Sequence, residues 1–166
     1  VFIQRSRGYA QRQTLSCEEI GEICKVVRKV NPDAAIVVDN CYGEFVEETE
    51  PTQHGADLTA GSLIKNPGGG LAPTGGYIAG RADLVERAAF RLTVPGIGGE
   101  CGATLGVNRA LYQGLFMAPH TVCQAVKTAV FAAALLEEMG FSVSPGSGEE
   151  RHDIIQTIDF GKPEPL

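Results

Sequence analysis

An α/β fold is what this sequence predicts, on three observations. A segment from Ser16 to Val30 with helical spacing of apolar residues is followed by Ala35-Ile36-Val37-Val38-Asp39, an unbroken apolar run closed by an acid. Such a run is how a strand buried on both faces of a parallel sheet reads. A second strand-like segment, Ala56 to Ser62, delivers Lys65 into a glycine cluster at 68–70. The chain also holds 21 glycines and no tryptophan, which points to many tight backbone approaches rather than a helical bundle.

In order, Val1-Phe2-Ile3 opens the chain as a strand, and Arg5-Ser6-Arg7-Gly8-Tyr9 makes a basic turn. Ser16 with Glu19 three residues on forms a capping box, and Ile20, Ile23, Val27 and Val30 give the apolar face of a helix that Asn31-Pro32-Asp33 ends. After the Ala35–Asp39 strand, residues 40–55 are irregular and acidic, with Glu44, Glu47, Glu48 and Glu50. Gly75–Gly80 is a further short strand, and Ala82–Leu92 a helix with Leu84, Val85, Ala88, Ala89 and Leu92 inward, closed by Thr93-Val94-Pro95-Gly96. Two helices are predicted next, Ala103–Phe116 and Pro119–Met139, the second capped by Gly140. Phe141–Pro145 and His152–Ile158 read as strands of a second sheet, so a domain boundary is expected near Gly140.

Composition narrows the function classes. At 166 residues, 43% hydrophobic and 20% charged, the chain can bury a real core. A net charge of -6 with no basic run argues against a nucleic-acid surface. No apolar run approaches the roughly 20 residues that span a bilayer, and the start lacks the form of a signal peptide. A cytoplasmic protein with no membrane partner is expected. The five cysteines, at 17, 24, 41, 101 and 123, form no Cys-x-x-Cys pair. They read as reduced thiols, with neither a disulfide framework nor a metal site. The chain opens without Met and stops just after a strand, and a fragment is the expectation.

Chemistry gathers around Lys65. A lysine attacks carbonyl groups when its pKa is lowered by desolvation or nearby cations, and a strand end opening into a tight turn can provide that setting. Asp39 closes a buried strand 26 residues earlier, Ser62 precedes the lysine by three, and glycines that would let a phosphate or a ring approach follow it. Ligands of open parallel sheets sit outside the carboxyl ends of the strands, where Asp39 should be. An aldehyde for the lysine, a basic ring nitrogen for the carboxylate and a phosphate for the serine hydroxyl together describe pyridoxal 5'-phosphate.

The motifs Val38-Asp39-Asn40-Cys41-Tyr42, His54-Gly55-Ala56-Asp57-Leu58 and Ser62-Leu63-Ile64-Lys65 resemble the large domain of fold-type-I pyridoxal-phosphate enzymes of the cystathionine and methionine lyase group. The run from Ser62 through Lys65-Asn66-Pro67-Gly68-Gly69-Gly70 to Tyr77, with Ile3-Gln4-Arg5-Ser6-Arg7-Gly8-Tyr9, is similar more narrowly to the methionine gamma-lyase-like proteins often labelled aluminium resistance proteins. The resemblance covers essentially the whole chain. It implies a fold-type-I large domain over residues 1–140, incomplete at its N-terminus, and the start of a small C-terminal domain over 141–166. It implies Lys65 as the Schiff-base lysine, Asp39 as partner of the ring nitrogen and Ser62 as a phosphate ligand. It further implies a carbon-sulfur lyase acting on sulfur amino acids, assembled as a homodimer or homotetramer, and inert as this fragment alone. Leu63-Ile64 and Asn66-Pro67 flank the lysine where cystathionine lyases usually carry a threonine and an aromatic.

Other readings of these residues stay open. Tyr42 can hydrogen-bond the cofactor's phenolate oxygen or simply pack at a sheet edge. Arg5 and Arg7 can grip a phosphate or a carboxylate, or lie on the surface of a turn. The Gly96–Gly99 loop can reach a neighbouring subunit's cofactor phosphate or be plain connection. His120 reads as structural, and His54 and His152 have no partner visible in sequence. A transaminase on the same fold, or a non-catalytic phosphate-binding α/β module, is the rival function. No Gly-x-x-x-x-Gly-Lys-Ser/Thr motif supports the latter.

Overall fold

Four strands form the main sheet of the computed structural model, which describes residues 1–10, 12–92, 95–100, 102 and 104–161. They are β1 (Phe2–Gln4), β2 (Val37–Asp39), β3 (Leu58–Ser62) and β4 (Gly76–Gly80), side by side in that order. The first three are parallel and β4 is antiparallel to β3. The α/β expectation with a mostly parallel sheet holds. Cys101, the Thr93-Val94 turn and residues 162–166, Lys162 among them, lie outside the described residues.

Helix α1 (Cys17–Val30) makes the crossover from β1 to β2 that a parallel pair requires. Its N-terminus closes as the sequence indicates: the Ser16 hydroxyl accepts from Glu19 N at 3.0 Å, and Glu19 Oε2 accepts from Ser16 N at 2.8 Å. Ile20 and Cys24 from α1 pack with Ile3, Ile36, Val38 and Ala56 into the core. Each large aliphatic side chain buried there contributes about 1.5–3 kcal/mol. Val30, expected on that face, is exposed, and so is Leu92 at the end of α2 (Ala82–Leu92).

The largest departure from the sequence reading is α3. In place of two helices broken before Pro119, one helix runs unbroken from Asn108 to Glu138. An interior proline forfeits one backbone hydrogen bond and crowds the preceding turn, a cost of about 3 kcal/mol. Tertiary packing offsets that cost. Gly114, Ala118 and Val122 are all buried on one stripe, and Gly114 lies directly against the backbone of Gly68 and Gly69. Thr121, just past the proline, donates to Gly69 O at 3.3 Å.

Beyond α3, β5 (Ser142–Ser144) and β6 (Thr157–Asp159) pair antiparallel as a separate two-stranded sheet. Of the strand expected over His152–Ile158, only Thr157 and Ile158 are in β6, which extends to Asp159. Asp153 explains this: buried, it accepts from Ser6 Oγ at 2.8 Å and from its own neighbour Ile155 N at 2.9 Å, which bends the chain away from extended pairing. Cys17, Cys24, Cys41 and Cys123 are free thiols. Among the described residues no helix is long and apolar enough to cross a membrane, and no group of acidic, histidine or cysteine side chains could hold a metal ion.

Candidate active site at the carboxyl edge of the sheet

Side-chain alternation sets the site. Asp39, the last residue of β2, and Asn40 just after it point to opposite faces. Asn40 turns inward, accepting from Arg5 Nη1 at 2.7 Å and donating to Glu50 at 2.7 Å. Asp39 turns to the other face, where its Oδ1 accepts from Cys41 N at 3.1 Å. The parallel register sets Asp39 beside Ala60, so Ser62, two residues on, projects from the same face at the end of β3. Lys65 follows in a turn closed by Lys65 N on Ser62 O at 3.2 Å.

The turn after the lysine is held from two sides. Asn66 is buried, and its amide donates to Tyr42 O and Glu44 O, each at 3.0 Å. This ties the Lys65 turn to the 40–45 turn. Tyr42 occupies the left-handed region at φ 73°, a conformation that a bulky residue keeps only where its surroundings enforce it. Its ring then lies under the lysine, with Nζ 4.4 Å from the ring centroid. A recess of about 460 Å³ opens here, lined by Tyr42, Ile64, Lys65, Asn66, Thr121 and Val122 among others. Asp39 and Ser62 stand outside its lining.

Two expectations change. Gly68 and Gly69 do not open the backbone to a ligand: a Cβ on Gly68 would strike Leu63 O, and one on Gly69 would strike Gly114 O. Only Gly70 faces open space. The amine of Lys65 is also not depressed. Burial pulls its pKa down, but the Cys41 thiol and Tyr42 phenol beside it outweigh that and leave it above the usual lysine value. The sequence reading missed Cys41. Burial and the adjoining Asp39 carboxylate push its thiol pKa up, so it stands protonated between Asp39 and Lys65. Its place two residues after Asp39 in a turn was the available signal.

Arg5 leaves the list of ligand-binding candidates. It is fully buried, donates to Gly43 O at 3.2 Å and Leu15 O at 3.3 Å, and pairs with Glu47. His152 meets Glu47 at 3.2 Å and His54 meets Thr49 at 2.8 Å, both structural contacts. His120 is exposed on α3. The Gly96–Gly99 loop packs Gly98 against the Phe90 ring.

By chemistry, a carboxylate, an amine and a hydroxyl at the ends of β2 and β3 are the kinds of group that would hold pyridoxal phosphate. Among the described residues Asp39 and Lys65 make no ion pair, and the Ser62 hydroxyl accepts from Ile64 N at 3.4 Å without donating to any acceptor. A carboxylate without a cation, an amine without an anion and a hydroxyl proton without an acceptor share one edge.

The family model for methionine gamma-lyase matches residues 1–166. The chain belongs to that family. A 33.9 kDa protein of Lactobacillus delbrueckii subsp. bulgaricus, encoded 5' of glnA, is 56% identical over all of this chain and 54% of its own length. A crystal structure from Clostridium acetobutylicum, whose assignment as a cystathionine beta-lyase involved in aluminium resistance is provisional, is 60% identical. It superposes at a TM-score of 0.93 over 97% of this chain and 38% of its own. The pyridoxal-5'-phosphate-dependent protein YhfS of Escherichia coli shares the fold, with a TM-score of 0.59 at 20% identity over 98% of this chain and 42% of that one. The chain thus has the fold of fold-type-I pyridoxal-phosphate enzymes and spans about half the length of the first of these relatives.

Proposed function

We infer that this chain is the lysine-bearing part of a pyridoxal-phosphate-dependent carbon-sulfur lyase that releases a thiol from sulfur amino acids by beta or gamma elimination. The observation that carries this is the trio of unmatched groups, Asp39, Ser62 and Lys65, on one carboxyl edge in a chain of the methionine gamma-lyase family. When bound, the cofactor supplies an electron sink for the carbanion at the substrate's alpha carbon. Lys65 Nζ would hold the cofactor, and its amine would serve as the general base for the substrate's alpha proton. Asp39, whose carboxylate has no competing cation among the described residues, would hold the protonated ring nitrogen. Ser62 would donate its hydroxyl to the phosphate. The Tyr42 ring holds the lysine amine in place, and Asn66 holds Tyr42.

The working form is a cytoplasmic homodimer or homotetramer with shared sites. The exposed Phe116, Phe131 and Leu135 of α3 support burial against further polypeptide. Borohydride reduction of the full-length holoenzyme, followed by peptide mapping, tests the core of this reading. The cofactor mass should stay on Lys65, and its appearance on Lys25, Lys127 or Lys162 would overturn it.

A further inference from the structure

Arg7 is a buried cation without an anion. Only 7% of its surface is exposed, and among the described residues no carboxylate lies within ion-pair distance of it. Its Nη1 donates to the neutral hydroxyl of Ser144 at 2.9 Å, and its Nε is buried with no partner at all. Leaving a buried charge unpaired costs several kcal/mol, and an unmatched donor adds to that. The other deeply buried arginines differ. Arg5 pairs with Glu47, and Arg151, although its Nε is also unpartnered, is gripped by Gln156 Oε1 at 2.6 Å and by three backbone carbonyls.

The surroundings of Arg7 form a recess of about 380 Å³ bounded by β5, β6 and the turn after β1. Arg12 also lines it, but its guanidinium is used up on the backbone carbonyls of Gln4, Arg5, Ser6 and Gln13. Thr157 directs its hydroxyl to Ser144 O at 2.8 Å. The remaining charge is Asp159, exposed at the rim, where it accepts from Gly161 N at 2.8 Å. A guanidinium with an unmatched Nε–H and no anion, set among neutral hydroxyls with a carboxylate at the mouth, suits a single negative charge better than the double charge of a phosphate. The planar fork of the guanidinium matches a carboxylate bidentately.

Position adds to this. Gln4 pairs with Asp39 across the sheet, and Arg7 is three residues further on, at most about 11 Å of chain. The chain that carries Arg7 therefore leaves the sheet at the same carboxyl edge as the proposed catalytic groups.

We propose that Arg7, in the recess between the β1 turn and the β5–β6 sheet, is the receptor for the carboxylate of a bound small molecule. The assignment stands on the unpaired guanidinium and its recess, and does not need Lys65 to carry the cofactor. If the lyase reading also holds, the carboxylate is that of the amino acid substrate.

The test uses the full-length holoprotein, with Arg7→Met and Arg7→Lys beside wild type. Thermal unfolding is followed in butyrate, in its neutral isostere butyramide, in inorganic phosphate and in chloride at matched ionic strength. Butyrate should raise the wild-type Tm saturably, by about 2–4 °C near saturation, while butyramide and chloride do not. Arg7→Met should abolish the butyrate response, and in butyrate-free buffer its Tm should equal or exceed wild type, since an uncompensated charge has been replaced by an apolar side chain. Arg7→Lys should keep a weaker response. An Arg7→Met protein that loses stability or fails to fold makes Arg7 a structural clamp and overturns the proposal. So does a butyrate response that survives in Arg7→Met, equal responses to all four additives, or a response to phosphate alone. Failure of the borohydride map would leave these outcomes unaffected, so the two ideas fall separately.

Discussion

The ammonium of Lys65 lies 4.4 Å from the centre of the Tyr42 ring, and Tyr42 presents that ring from a left-handed backbone. A cation over an aromatic face gains about 0.5–1 kcal/mol where water has access. That attraction favours the protonated amine, so removing the ring should lower the lysine pKa. Tyr42→Ala is expected to show this in an NMR titration of the Lys65 side chain in cofactor-free full-length protein. Tyr42→Phe, which keeps the ring and loses the phenol, should fall between. An unchanged titration in Tyr42→Ala would mean that the ring merely neighbours the lysine.

Asp39 should matter to turnover far more than to cofactor retention. Its charge is needed most when electrons enter the ring as the alpha proton leaves. Asp39→Asn in the full-length protein is expected to lose at least about 100-fold in kcat, near 2.7 kcal/mol, while cofactor affinity, followed by absorbance on dialysis, changes much less. Asp39→Glu should recover part of the rate. Near wild-type elimination by Asp39→Asn would return this residue to a strand-end role.

Glu44 predicts a pH dependence of stability. The side chain is 3% exposed, one oxygen accepts from the Tyr77 hydroxyl at 2.9 Å, and the other has no partner. Burial, with Glu50 nearby and despite Tyr77 and Arg5, pushes its pKa from 4.5 up to about 7. Between these values the folded chain keeps a proton that the unfolded chain has released. Stability therefore falls as pH rises from about 4.5 to 7 and is flat above, a loss on the order of 3 kcal/mol. Glu44→Gln keeps the shape and cannot ionise. Denaturant midpoints should show it more stable than wild type at pH 8 and close to it at pH 4.5, and parallel curves across that range would rule the mechanism out.

Gly114→Ala should disturb the lysine turn from a distance. A methyl there would run into Gly68 O, so either α3 or the 66–70 turn must move. A loss of about 1–3 kcal/mol is expected, read as a lower Tm. Gly106→Ala serves as a control of the opposite kind: it meets no neighbouring atom but carries φ 75°, so its cost should be backbone strain without movement of the lysine turn, which the Lys65 titration would register.

What the sequence determined by itself was local. The capping box at Ser16 and Glu19, the strand ending in Asp39, and the strand end before Lys65 are all set by residues within a few positions of one another, and all three stand in the fold, although β2 is shorter than the apolar run and buries only Val38, on one face, rather than both. The same was true of the carboxyl edge, because parallel strands bring their ends together whatever lies between them. The tertiary structure decided the rest. Pro119 reads as a break until Gly68 and Gly69 press against Gly114 and Ala118 and hold α3 through it. Among the acids of the 44–50 segment, nothing local marks Glu44 as the one that is buried. That follows from Tyr77, 33 residues away on β4, and from Gly61, whose missing Cβ leaves the space that the carboxyl occupies. Arg5 and Arg7 look alike in the turn after β1. Among the described residues one finds Glu47 and Asn40 in the interior and the other finds only Ser144, because the partner of a long charged side chain is set by which distant segments fold against it, not by its neighbours along the chain.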